Sequence, residues 1–313
     1  GLSQWSGRWL PRLVPAIVLV FLLTNAVRDL HDYFTAWPRE GIVRFLYRAD
    51  YRRAARFLDE HPEITDAAIG STLLGPWDRL ALANDLRRQD VQVRLFNPEQ
   101  SLLLPTRPTP STGDAGAGAL MVTAFPPLDP ALAELLEEPP QWQDGGLQLY
   151  RPPQALPSAS SGLGSPALFA NGLGLIGGLW PEDQPAPGHA TTLWLVWQVA
   201  RPLDLPPLPI IASPPPPGVY SGPRLAVFTH LLAADGTFLV GDDALWVDPL
   251  TLVPGDRFLQ IHRLALPMEA PAGPYTLELG LYDPLTQERW AVLDAVGQLV
   301  TDHLLLPAAE SGP

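Results

Sequence analysis

Three histidines, two adjacent aspartates and four large aromatic residues carry most of the chemistry this sequence could offer. His230, His262 and His303 fall in separate stretches of alternating hydrophobicity, and Asp242 and Asp243 close the stretch "AADGTFLVGDD". Imidazole metal sites commonly pair two ligands at a local spacing such as His-x-x-x-His, and no pair here has it. The three therefore read as strand histidines on half-exposed faces. The acids of "GDDALW" supply too few local oxygens for a calcium site. Trp194, Trp246, Tyr282 and Trp290 lie in or beside strand-like segments, where they could stack on sugar rings. Packing between two sheets accounts for strand tryptophans equally well.

Two glycine-rich stretches resemble nucleotide loops. "GSTLLG" (70–75) lies between a strand and a helix, but it lacks the lysine and hydroxyl residue of a phosphate loop, and Gly75 reads as a helix cap. "GLGLIG" (172–177) has the letters of a dinucleotide fingerprint. "GLWPEDQPAPG" follows it, and cannot form the helix that would aim backbone amides at a pyrophosphate. It reads as a strand tolerant of glycine.

Composition narrows the classes further. The 313 residues carry a net charge of -13, and all 20 basic residues are arginine. That balance excludes the basic footprint of a nucleic-acid binder. Without cysteine the chain has no thiol nucleophile, disulfide or zinc-thiolate site. The 38 prolines gather in "PTRPTP", "PPLDP" and "PLDLPPLPIIASPPPP", which read as surface connections because periodic apolar segments resume after each.

The elements that must hold these residues fall into regions. "ADYRRAARFLDEH" (49–61) places Tyr51, Ala54, Ala55 and Leu58 on one helical face. Strands are expected at 66–71, 91–96, 118–125 and 146–151, with helices at 75–89 and 129–138, the latter capped by Asp129. Strands alternating with helices predict a small parallel α/β sheet over 38–155. Over 156–308 the period becomes two, with strands at 191–199, 225–243 around the Asp235-Gly236 turn, and 257–267, a further hairpin over 274–293, and a closing strand at 299–306. This predicts an antiparallel β-sandwich. The expected class is α+β multidomain, with residues 309–313 a tail.

Residues 1–37 complete the plan. From Leu13 to Val27 no residue is charged, Trp5 and Trp9 precede the run, and Tyr33, Phe34 and Trp37 follow it. An apolar helix between aromatic belts predicts a membrane span. No small-x-small site supports a cleaved signal peptide. Arg8 and Arg12 before the run against Arg28, Arg39 and Arg44 after it would place the larger part in the cytoplasm by local charge count.

In its order of parts the chain resembles the C-terminal region of bacterial membrane glycosyltransferases of family 39. These are relatives of the dolichyl-phosphate-mannose protein mannosyltransferases and the lipid A aminoarabinose transferase. The residues behind the resemblance are Tyr33, Phe34 and Trp37 at the end of the span, "YRRAARFLDEH", "VFTHLLAADGTFLVGDD" and "LPMEAPAGPYTLELGLYDPLTQERW". It implies that this is the last span and the extracytoplasmic domains of a larger transferase, opposing the arginine count. It also implies a polyprenyl-phosphate-linked sugar as the donor of the parent enzyme, with no cofactor held in this chain. The expected partners are the lipid bilayer, the upstream transmembrane domain, and a glycan or protein acceptor. The family's catalytic carboxylate lies in a loop that no residue here matches, so no catalytic residue is carried over; Asp29 and Asp32 have no ground for that role. The rival expectation is a membrane-anchored extracellular module whose sandwich binds a glycan or a protein.

Sugar transfer requires a placed base and stabilisation of a departing phosphate, and no such constellation is visible in the sequence. The purified chain is expected to neither transfer sugar from, nor hydrolyse, a polyprenyl-phosphate sugar, with or without divalent metal. Turnover that survives stringent purification and is abolished by substituting a residue within 38–308 would refute this.

Overall fold

The computed structural model describes residues 10–71, 73–105, 118–123, 126–136, 138–153, 155–157, 166–181, 184–208 and 222–308. Trp5, Trp9, the 309–313 tail and most of two proline-rich connections lie outside them. The chain divides into two units, residues 1–50 and 51–313.

The first unit is dominated by α1 (Leu10–His31). A π-helical turn (Asp32–Ala36), a 3-10 turn (Trp37–Arg39) and the short helix α2 (Gly41–Leu46) follow. Residues Val14–Ala36 form a helix long and apolar enough to cross a membrane, with none of it buried in the protein. At about 1.5 Å per residue its 23 residues span about 35 Å, against a hydrocarbon core of about 30 Å. Thr24 Oγ1 donates to the Val20 carbonyl at 2.8 Å and Asn25 Nδ2 to that of Phe21 at 2.9 Å. The polar side chains inside the run are thus satisfied by their own helix, as an apolar solvent demands.

The second unit begins within α3 (Ala49–Glu60), which buries Tyr51, Ala54, Ala55 and Leu58 and exposes Arg52 and Arg56, as its periodicity requires. It continues through β1 (Asp66–Gly70), α4 (Pro76–Asp85), β2 (Gln92–Phe96), β3 (Ser101–Leu104), β4 (Ala119–Thr123), the single turn α5 (Pro130–Ala133), β5 (Trp142–Asp144) and β6 (Leu147–Tyr150). One sheet has the order β2-β1-β4-β6-β5. β2, β1 and β4 run parallel, but β6 and β5 are antiparallel. The sheet is therefore mixed, where an all-parallel one was expected. A parallel return requires a crossover of a dozen or more residues, commonly helical. The helix after β4 is one turn long, and the chain comes back instead through the β5–β6 hairpin.

The remaining strands are β7 (Ala167–Phe169), β8 (Leu173–Leu179), β9 (Ala190–Val199), β10 (Ala226–Leu232), β11 (Phe238–Gly241), β12 (Arg257–Ala265), β13 (Thr276–Tyr282), β14 (Val292–Leu293), β15 (Leu299–Thr301) and β16 (Leu304–Pro307). They form a four-stranded sheet, β11-β10-β13-β16, and a seven-stranded one, β15-β14-β7-β8-β9-β12-β3. Leu277, Leu279 and Leu281 of the smaller sheet share one apolar core with Leu195, Trp197 and Phe258 of the larger. The 274–293 segment is not a simple hairpin, because β13 and β14 belong to different sheets. Asp283, 2% exposed, holds the turn between them by accepting from Arg224 Nε at 2.7 Å, Leu285 N at 2.9 Å and Thr286 Oγ1 at 3.1 Å.

β3 lies in the first region by sequence but pairs with β12, Leu102 opposite Leu259. Nearby, Asp248 N donates to the Leu95 carbonyl and Asn97 N to that of Trp246, both at 2.8 Å. Arg94, 1% exposed, reinforces this seam. Its Nε donates to Asp256 at 3.0 Å, its Nη1 to Asp66 and, at 2.8 Å, to the Gln92 carbonyl. Asp256 is fully buried and also accepts from Val253 N at 2.8 Å. Removing one member of a buried pair strands the other's charge and costs about 3–5 kcal/mol. Arg94→Ala is expected to lose about that much in chemical denaturation. Asp90→Asn, breaking a pair whose carboxylate is 65% exposed, is expected to leave the denaturation midpoint unchanged, because solvent screens an exposed ion pair.

Candidate functional site

The outward face of the four-stranded sheet gathers aromatic and ionisable side chains that the sequence scatters. On β10, Val227 and Leu231 point to the core, so Phe228 and His230 point away. On β13, Leu277, Leu279 and Leu281 are the inward set, which leaves Glu278, Gly280 and Tyr282 outward. Register places His230 opposite Glu278, and Phe228 opposite Gly280. Across the other edge His230 faces Gly241 of β11.

The two glycines have a steric role. A Cβ at Gly280 would lie 2.4 Å from Phe228 Cζ, and one at Gly241 would lie 2.8 Å from His230 Cδ2. Each ring therefore occupies the space that a side chain on the neighbouring strand would fill. Arg289 covers the other side of Phe228, its guanidinium carbon 4.4 Å from the ring centroid. Phe238 is 57% exposed and meets the His230 ring edge-on at 5.2 Å. The phenol of Tyr282 is pushed up by burial and then by the Asp243 carboxylate.

His230 is held between two carboxylates. Nδ1 lies 3.1 Å from Glu278 Oε2 and Nε2 lies 3.2 Å from Asp243 Oδ1. Both nitrogens can donate only in the imidazolium. The hydrogen bond to Asp243 raises its pKa most, burial opposes this, and Glu278 adds to the rise. Glu278 receives Arg289 Nη1 on its second oxygen at 3.1 Å, and His303 Nδ1 lies 2.6 Å from Asp302. Carboxylates, a guanidinium and an exposed ring on one rigid sheet can hydrogen-bond and stack a hydroxyl-rich ligand.

The four aromatic residues singled out in the sequence do not come together. Trp194 is 7% exposed and, with Trp290, packs in the core of the sandwich; Trp246 is half-buried with its indole nitrogen inside. Only Tyr282 belongs to the outward face. Trp290 follows Arg289 and bonds Leu281, so alternation turns it inward. Phe228, Phe238, Glu278 and Arg289 escaped the sequence reading, although the alternation of "VFTHL" and "LELGLY" puts Phe228 and Glu278 on the face of His230. His262 is fully buried, not half-exposed, with Nδ1 3.0 Å from the Asp242 carbonyl and Nε2 2.6 Å from Gln260. His303 lies in the turn between β15 and β16, outside any strand. Among the described residues no three histidine or acidic side chains converge as a metal site.

The loop at 70–75 is closed by an internal acid. Asp78, 1% exposed in the first turn of α4, accepts from Ser71 Oγ and, at 3.0 Å, from Tyr51 OH. A buried carboxylate there opposes a second anion. "GLGLIG" runs within β8 and its approach, as a strand. A separate cleft of about 280 Å³ at the amino ends of β1 and β4 is lined by Phe57, His61, Glu63, Gln141, Tyr150 and Arg151, among others. Arg88 ties down the segment that carries His61 and Ile64 by donating to the carbonyls of Leu58, His61, Pro62 and Ile64.

Because the folded pKa of His230 lies above its unfolded value of about 6.5, its contribution to stability is complete below that value and is lost as pH rises through the folded one. The stability advantage of the parent over His230→Gln is expected to be largest near pH 5.5 and to shrink toward pH 8.5 in denaturant titrations. A difference constant with pH would show that His230 is not charged in this site.

No family model and no curated protein matches the sequence. Among solved structures, the C-terminal domain of wzt is similar to 50% of this chain and 84% of its own length, at 14% identity and a TM-score of 0.27. That degree of likeness carries no argument about function.

Proposed function

We propose that this chain is a membrane-anchored saccharide-binding module, and that it forms the extracytoplasmic end of a polyprenyl-phosphate-sugar-dependent glycosyltransferase. The observation that carries the binding role is the outward face of the four-stranded sheet, with His230 clamped between Asp243 and Glu278 beside the exposed Phe238 ring. Hydroxyl groups of a sugar both donate and accept, which suits Asp243 and Asp302 as acceptors and Arg289 as donor. The apolar face of a pyranose suits Phe238. A sheet surface is rigid, so little entropy is lost in ordering it on binding.

The transferase context rests on the resemblance in the order of parts: a terminal span, an α/β unit and a sandwich. α1 supports membrane anchoring by its length and composition. In that setting the module would hold the acceptor's saccharide near the membrane enzyme, with chemistry supplied by the upstream domain.

The test is retention of the detergent-solubilised chain on a glycan array. Phe238→Ala and Asp243→Asn are expected to abolish retention on whichever saccharide the parent holds, with the melting temperature of Phe238→Ala unchanged because its ring is largely exposed. Failure of the parent to retain any glycan, or retention undiminished in both variants, would refute the binding role.

A further inference from the structure

We infer that residues 33–47 form an elbow embedded in the headgroup layer of the bilayer, so that the chain turns along the membrane surface after α1 before it folds. This rests on the membrane-anchor reading and goes beyond it.

The elbow is more apolar on its surface than an aqueous segment should be. Tyr33 is 58% exposed, Phe34 71%, Ile42 58%, Leu46 63% and Tyr47 69%. Ile42 and Leu46 are four apart on α2, hence on one face. The aromatic rings form a connected series: Tyr33 lies 5.0 Å from Phe34 and 5.3 Å from Trp37, and Trp37 lies 5.5 Å from Tyr47. The last contact matters most, because it folds the end of α2 back onto the 3-10 turn that follows the span. Leu46 is therefore kept close to Trp37 rather than carried away from it. Tryptophan and tyrosine favour the membrane–water boundary, where a ring meets acyl chains and its polar tip meets water.

Charge argues for adsorption by apolar burial, not by attraction to acidic lipid. Between residues 28 and 50, Arg28, Arg39, Arg44 and Arg48 are matched by Asp29, Asp32, Glu40 and Asp50, four against four. Arg28 lies 3.8 Å from Asp32, and Arg44 is paired with Asp50. The elbow should accordingly enter a zwitterionic phospholipid surface and stay there at high salt.

The sequence contains no cysteine, so single spin labels at Val20→Cys in α1, Leu46→Cys in the elbow and Val296→Cys on a sandwich turn are unambiguous. Each full-length variant is reconstituted into phosphatidylcholine vesicles, and collision with dissolved oxygen and with a water-soluble nickel chelate is measured. Val20 is expected to see oxygen only, and Val296 the chelate. Leu46 is expected to lose chelate access, with no recovery in high salt. Adding Trp37→Ser to Leu46→Cys should restore that access by releasing the fold-back. A Leu46 label as open to chelate as Val296, with Val20 still in lipid, overturns the elbow and leaves the anchor standing. A Val20 label open to chelate overturns the anchor reading itself. Shielding of Leu46 that disappears in high salt overturns the apolar basis of the elbow.

Discussion

A guanidinium without access to water has to be met by carboxylates, and Arg94 imposes that condition on the second unit. It leaves the mixed sheet through β2 and is satisfied by Asp66 at the start of β1 and by Asp256 at the start of β12. Those two acids are far apart in sequence, so the charge can be buried only once the mixed sheet and the sandwich have both formed. The backbone bonds from Asn97 and Asp248, and the seating of β3 against β12, lie along the same seam. Asp248 adds a second buried charge there, fully enclosed and paired with Arg79 of α4. Pairs of this kind contribute little net stability against an apolar alternative, but they penalise any arrangement that leaves one member alone. The α/β region and the sandwich are consequently locked in one register.

That lock relieves the smaller sheet of a packing role on its outer side. Its inner leucines meet the core, while the outer face is ordered by local devices. Gly280 lies under Phe228, Arg289 lies over it, and Gly241 lies under His230. The result is an array in which His230, Asp243, Glu278, Arg289 and Asp302 each have a partner. Such an array suits a neutral, hydroxyl-rich ligand better than an ion, because an ion would have to break a pair to bind. The buried His262 reaches the inner side of these strands from β12 of the larger sheet, bonded to the Asp242 carbonyl and Gln260, and it fixes the backbone from which Asp243 projects.

The first unit has the length and composition of a helix able to cross a membrane. Thr24 and Asn25 return their polar groups to helix carbonyls, and after Arg12 the ionisable residues resume only at Arg28, where the apolar run ends. Beyond that point aromatic rings replace aliphatic side chains, as the change from hydrocarbon to headgroup favours.

Much of this was legible in the residues alone. The apolar run, the face of α3, strands β1, β2 and β4, the Asp235-Gly236 hairpin and the strand character of "GLGLIG" follow from periodicity and turn chemistry, which are local. Local rules did not reveal the antiparallel half of the first sheet, because strand direction depends on a connection whose helix shrank to one turn. They could not assign β3 to the sandwich or part β13 from β14, since pairing is a contest among distant edges. Nor could they say which aromatics face outward. Trp194 and Trp290 resemble Tyr282 and Phe238 as letters, yet one residue of register sends a ring to the core or to the surface. The sequence by itself determined the elements and the apolar span, because backbone preference and hydrophobic period act over a few residues. The tertiary structure alone decided the site, because bringing His230, Asp243, Glu278 and Arg289 together depends on the register of three strands and on the turn after β13.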